Sequence, residues 1–237
     1  MVYRYNIPVK EEIKEIVIAD LILTIAFTLS LMGGLFSRSP NSLERFIIYF
    51  PGIFVIVTLT FVLHELMHRQ VAKHFGAIAS FQYSVNGLII TLATGIFGFI
   101  FGIPGATVIY TNNFTKREEG IVSLAGPLMN FAVFILFFVI FMLTPYINNS
   151  YITLIAALGM FISILLAFFN MLPIMPLDGA KVLNWDRNIY IGSMAVIFIL
   201  MAVSYLILTG SIIDMFMEVA IMIILASFFS LFYRRII

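Results

Sequence analysis

The chain has 237 residues, 62% of them hydrophobic and only 11% charged, with a net charge of +1 and no cysteine. A soluble domain is nearer half apolar and a quarter charged, so the composition excludes an ordinary soluble globule, and the near-neutral charge gives no sign of a nucleic-acid partner. Lack of cysteine excludes disulfides and thiolate ligands, so any metal must be held by His, Asp or Glu.

The first fifteen residues mix Arg4, Lys10 and Lys14 with Glu11, Glu12 and Glu15, and do not read as a cleavable signal. Six apolar stretches then follow, each long enough to cross a hydrocarbon core of about 30 Å as a helix. They run from about Ile16 to Phe36, Phe46 to Phe75, Ile121 to Leu143, Tyr151 to Leu172, Ile189 to Leu208 and Ile212 to Tyr233. The expected fold is an all-α polytopic membrane protein with about six transmembrane helices. It forms one transmembrane domain over 1–237, with a core at about 46–185 and no appended soluble domain.

Residues 76–118 break the pattern. SFQYSVN at 80–86 alternates Phe81, Tyr83 and Val85 with polar residues, a strand period. LIITLAT at 88–94 is a candidate second strand, with Asn86-Gly87 as the hairpin turn. The apolar run at 95–109 holds four glycines and a proline, which points to a re-entrant loop rather than a seventh span. With six spans, eleven of the thirteen Lys and Arg residues fall on one side, and only Arg38 and Arg45 on the other. The positive-inside rule then puts both termini in the cytoplasm.

All three histidines lie close together, and two form the motif His64-Glu65-Leu66-Met67-His68. On a helix, positions i and i+4 share a face, so both imidazoles can reach one metal, with Glu65 beside it as a general base for water. Two histidines and an acid at the end of a spanning helix are costly without a function. His74 lies off that stripe and reads as a headgroup-level residue. Zinc needs a third ligand, which here must be a carboxylate. Glu11, Glu12, Glu15, Glu44, Glu118, Glu119 and Asp186 sit in charged segments and read as solvated. Asp178 is the outstanding candidate. It follows Pro173 and Pro176, which end a span in extended backbone, and precedes Gly179, which permits a tight turn.

At these residues the sequence resembles the site-2 protease family of intramembrane zinc metalloproteases. The likeness rests on H-E-L-M-H at 64–68 and on N-x-x-P-x-x-P-x-D-G at 170–179, with SLAGPLMN at 123–130 as a third similarity. It implies that His64, His68 and Asp178 bind one Zn2+ and that Glu65 activates water. It further suggests that Asn170 stabilises the oxyanion or else orients its loop. Implied substrates are single-span membrane proteins cut within the span, in the cell membrane. Ala180 stands where the family often has a second glycine, and no PDZ or CBS domain is evident. The segment 80–92 is a candidate for holding substrate by strand addition. A prenyl-protein type of peptidase, a metal transporter and a non-proteolytic zinc-binding scaffold are the competing readings.

Overall fold

The computed structural model describes residues 7–36, 42–100, 102, 104–111 and 113–233. Arg4, Arg38, Arg234 and Arg235 of the charge argument lie outside them, as do Phe101 and Ile103 of the apolar run. The chain divides into two compact units, residues 1–112 and 113–237.

The first unit begins with helix α1 (Val9–Leu31). Next comes a helical run of α2 (Ser42–Val57), a π-helical stretch (Thr58–Val62) and α3 (Leu63–His74). Strand β1 (Ile78–Tyr83), helix α4 (Val85–Ile96) and strand β2 (Gly105–Tyr110) complete it. The two strands pair antiparallel, with Ile78 opposite Tyr110 and Phe81 opposite Thr107. The second unit holds α5 (Lys116–Ile147), α6 (Ser150–Asn170), α7 (Asp178–Trp185), α8 (Arg187–Leu208) and α9 (Ile212–Tyr233).

All six predicted spans coincide with helices in position. By length and hydropathy four helical runs among the described residues can cross a membrane: 42–74, 116–147, 150–170 and 187–208. Helix α1 is more polar, since Lys10, Glu11, Glu12, Lys14, Glu15 and Asp20 all lie on it.

Two expectations between the second and third spans fail. Residues 88–94 are not a strand but part of α4, and Asn86-Gly87 is not a hairpin turn but lies in that helix's first turn. Ser84 is the N-cap, its side chain accepting from the Gly87 amide at 3.0 Å, which satisfies an otherwise orphaned helix donor. Leu88, Thr91 and Gly95 are the buried positions, a helical spacing that the β-branched residues conceal. A Cβ on Gly95 would fall 2.7 Å from the Cα of Ala26, so the glycine allows α4 to approach α1 closely. The strand that actually pairs with β1 comes from the predicted re-entrant run, as β2.

The sheet is anchored on both sides of β1. Phe81 is 1% exposed and packs with Ala19, Leu88 and the partly buried Ile16, Ile22 and Phe61. The Phe61 ring, in the π-helical stretch, meets that of Phe81 edge-on at 5.7 Å. The outer edge of β1 is closed by α1. The amides of Phe81 and Tyr83 each donate at 3.0 Å, to Glu12 Oε1 and Glu15 Oε2 respectively. Glu12 and Glu15, expected on a solvated face, are therefore buried at 3% and 5% exposure, because backbone donors claim them.

Candidate metal centre

Helix α3 carries the histidine motif directly after the π-helical stretch. Such stretches in otherwise α-helical runs shift the register of the residues that follow. His64 and His68 are 5% and 7% exposed. Their Nε2 atoms approach to 2.9 Å, with ring centroids 4.6 Å apart and planes at 83°. Both imidazoles thus aim the same nitrogen at one point, as the i, i+4 spacing predicts.

Glu65 is half-buried and faces β2. Its Oε2 accepts from the Thr107 amide at 2.7 Å, and its main-chain carbonyl accepts from Thr107 Oγ1 at 2.9 Å. One turn past Glu65, Arg69 donates from its terminal nitrogen to Glu12 Oε2 at 2.8 Å, and its Nε lies 2.7 Å from Oε1 as an ion-pair contact. The motif helix is thus tied to α1 by a two-point ion pair and to the sheet by Thr107. His74 ends α3, exposed, its ring against Phe75, consistent with a place outside the ligand stripe.

In the second unit, Asp178 is the first residue of α7 rather than the end of a tight turn. Pro173 and Pro176 cannot donate, and the loop closes with the Ile174 amide on Leu172 O at 2.8 Å and the Leu177 amide on Ile174 O at 2.9 Å. The expected role of Gly179 changes accordingly. A Cβ there would lie 2.1 Å from the Met171 carbonyl oxygen, so the glycine serves close backbone approach and not an unusual backbone angle. Asn170, the last residue of α6, donates from Nδ2 to the Leu166 carbonyl at 3.0 Å. Asp186, read as solvated, is the N-cap of α8 and accepts from the Asn188 and Ile189 amides.

Among the described residues, His64 and His68 in the first unit and Asp178 in the second each offer one ligand atom of a kind that holds a metal ion. Two imidazole nitrogens and one carboxylate oxygen suit zinc in both ligand type and number. Sequence reasoning missed Thr107 and Arg69. The β-branched run Thr107-Val108-Ile109 is the signal for the strand carrying Thr107, and the glycines before it mask that signal.

No family model and no solved structure matches the chain. Three curated proteins do. A candidate zinc metalloprotease of Methanocaldococcus jannaschii, MJ0611, is 38% identical over 154 residues, covering 61% of this chain and 80% of the relative. A candidate zinc metalloprotease of Bacillus subtilis, YwhC, is 31% identical over 60% of this chain and 74% of its own length. The zinc metalloprotease MJ0392, also of M. jannaschii, is 25% identical over 58% of this chain and 34% of its own length. With most of MJ0611 matched at that identity, and with the motif histidines and Asp178 all present in the sequence, the chain belongs to this family of zinc metalloproteases.

Proposed function

We propose that the protein is an intramembrane zinc metalloprotease of the site-2 type. It cuts single-span membrane proteins within their spans, with both termini in the cytoplasm and the bilayer of the cell membrane around it. The observation that carries this reading is the aim of two buried imidazoles at one point, at the end of a helical run long and apolar enough to cross a membrane.

In this reading His64, His68 and Asp178 hold one zinc ion. Bound there, the ion supplies Lewis acidity, which lowers the pKa of water and polarises a carbonyl. Glu65, adjacent to a ligand, takes the proton of the attacking water and passes it to the leaving amine. Asn170 has a second amide hydrogen beyond the one given to Leu166, and that hydrogen is the donor for the oxyanion. Strand addition of substrate at the outer edge of β1 is disfavoured, because Glu12 and Glu15 already occupy the Phe81 and Tyr83 amides.

The test pairs metal content with cleavage of a model single-span substrate, using detergent-purified wild type and Glu65→Gln. About one zinc per chain is expected in both, with kcat lowered by about a hundredfold or more in the variant. Equal cleavage by the two would end the general-base assignment. Zinc in both without any cleavage would favour a binding scaffold, and no zinc in either would remove the metal centre itself.

A further inference from the structure

The outer edge of β2 offers a second function for the small sheet. Phe81 and Thr107 are directly opposed, yet neither amide bonds to the partner strand. The Phe81 amide goes to Glu12 on one side and the Thr107 amide to Glu65 on the other. This is the non-hydrogen-bonded type of antiparallel pair, in which both amides point outward. The side chain aligned with the outward Thr107 amide is the carboxylate beside the metal ligands. The same threonine also reaches back with Oγ1 to the Glu65 carbonyl, so one residue fixes both the side chain and the helical turn that carries it.

We propose that Thr107 is the positioning residue for Glu65, the sheet edge acting as a mount for the general base; this rests on the catalytic role proposed for Glu65 above. A free glutamate side chain samples several rotamers. An amide at 2.7 Å from Oε2 holds one oxygen still and leaves Oε1 to meet water. Charge-assisted bonds of this kind are short and directional. Hydrolysis needs that oxygen within hydrogen-bond reach of the water, and displacement by about 1 Å can cost about a hundredfold in rate. Glu12 and Glu15 hold the opposite edge of the sheet, which keeps the mount rigid with respect to α1.

The contact is tested first without metal or turnover. In metal-stripped full-length protein labelled with 15N-threonine in detergent micelles, Glu65→Gln should move the Thr107 amide resonance upfield and leave Thr153 in place. A Thr107 resonance indifferent to Glu65→Gln overturns the proposal. Kinetics then tests the consequence with the same model substrate. Thr107→Ser keeps both bonds and should match wild type. Thr107→Val loses the hydroxyl bond and should lower kcat about tenfold with KM and zinc content unchanged. Thr107→Pro also deletes the amide, at an outward-facing edge position where proline is tolerated, and should lower kcat about a hundredfold. If the proline variant does not fold, the Ser and Val pair decides. Changes confined to KM or thermal stability, or a Val variant as fast as wild type, would sink the proposal while leaving the protease reading intact. A wild type without cleavage would instead remove the protease reading, and the role of Thr107 in hydrolysis would fall with it.

Discussion

The chain leaves the helical pattern in two places around its chemistry, and the two are built differently. The loop at 171–177 is closed locally. Its prolines lack donors, the amides of Met171, Leu172, Ile174 and Leu177 find carbonyls two to four residues away, and a glycine at 179 admits the Met171 carbonyl. The strands at 78–83 and 105–110 are closed from a distance. Their outward amides are taken by carboxylates 42 to 69 residues away in sequence, on α1 and α3. In an apolar setting every backbone donor must find a partner inside the protein. One segment meets that demand with its own residues, and the other draws on charged side chains from helices.

If that contrast is right, the strand region should be the more vulnerable to a single charge removal. Glu12→Ala leaves the Phe81 amide and the Arg69 guanidinium without the carboxylate that joins them. Breaking one partner of a buried ion pair costs about 3 kcal/mol or more, and the one-fifth exposure of Arg69 holds the effect near the lower end. Thermal unfolding in detergent should show a larger drop for Glu12→Ala than for Gly179→Ala or Ser84→Ala. A loss below that of Gly179→Ala would reverse the comparison.

Gly179→Ala probes the local loop and comes second. A methyl group placed 2.1 Å from Met171 O and 2.7 Å from Leu172 O meets backbone on two sides, and overpacking of this kind costs about 1–3 kcal/mol. The added carbon can be accommodated only by moving α7 or the loop, so zinc affinity should fall along with stability. Titration with a competing chelator reads the affinity. Unchanged affinity would show that Asp178 is insensitive to the position of its own helix.

The same contrast explains what could be read from the sequence. The six long apolar stretches, the i, i+4 histidines and the prolines that follow α6 carry their signals within a few residues, and each appears where it is expected, whereas Asp178 and Gly179 open α7 instead of a turn. The site-2 resemblance drew on those same local motifs. What was not legible depends on partners far along the chain. Glu12 and Glu15 look solvated because Lys10 and Lys14 flank them, yet β1 claims them. The β-branched run at 88–94 suggests a strand, but packing of Gly95 on Ala26 and the cap at Ser84 make it a helix. Here tertiary contact and a single cap override strand propensity. Thr107 was unreadable as a partner of Glu65 for the same reason, since nothing local to either residue points to the other.

The smallest expected effect tests that last override. Ser84→Ala removes the side-chain oxygen that accepts from the Gly87 amide, while the Ser84 amide still donates to Pro104 O at 2.8 Å. Losing an N-cap of this kind costs about 1 kcal/mol. The backbone tie to Pro104 and the burial of Leu88, Thr91 and Gly95 should hold the rest of α4 in place. Amide hydrogen exchange should therefore quicken in the first turn of α4 and stay slow from Thr91 onward. Exchange that quickened across all of 85–96, with a shift to strand-like protection, would mean that the cap rather than packing against α1 decides this segment's structure.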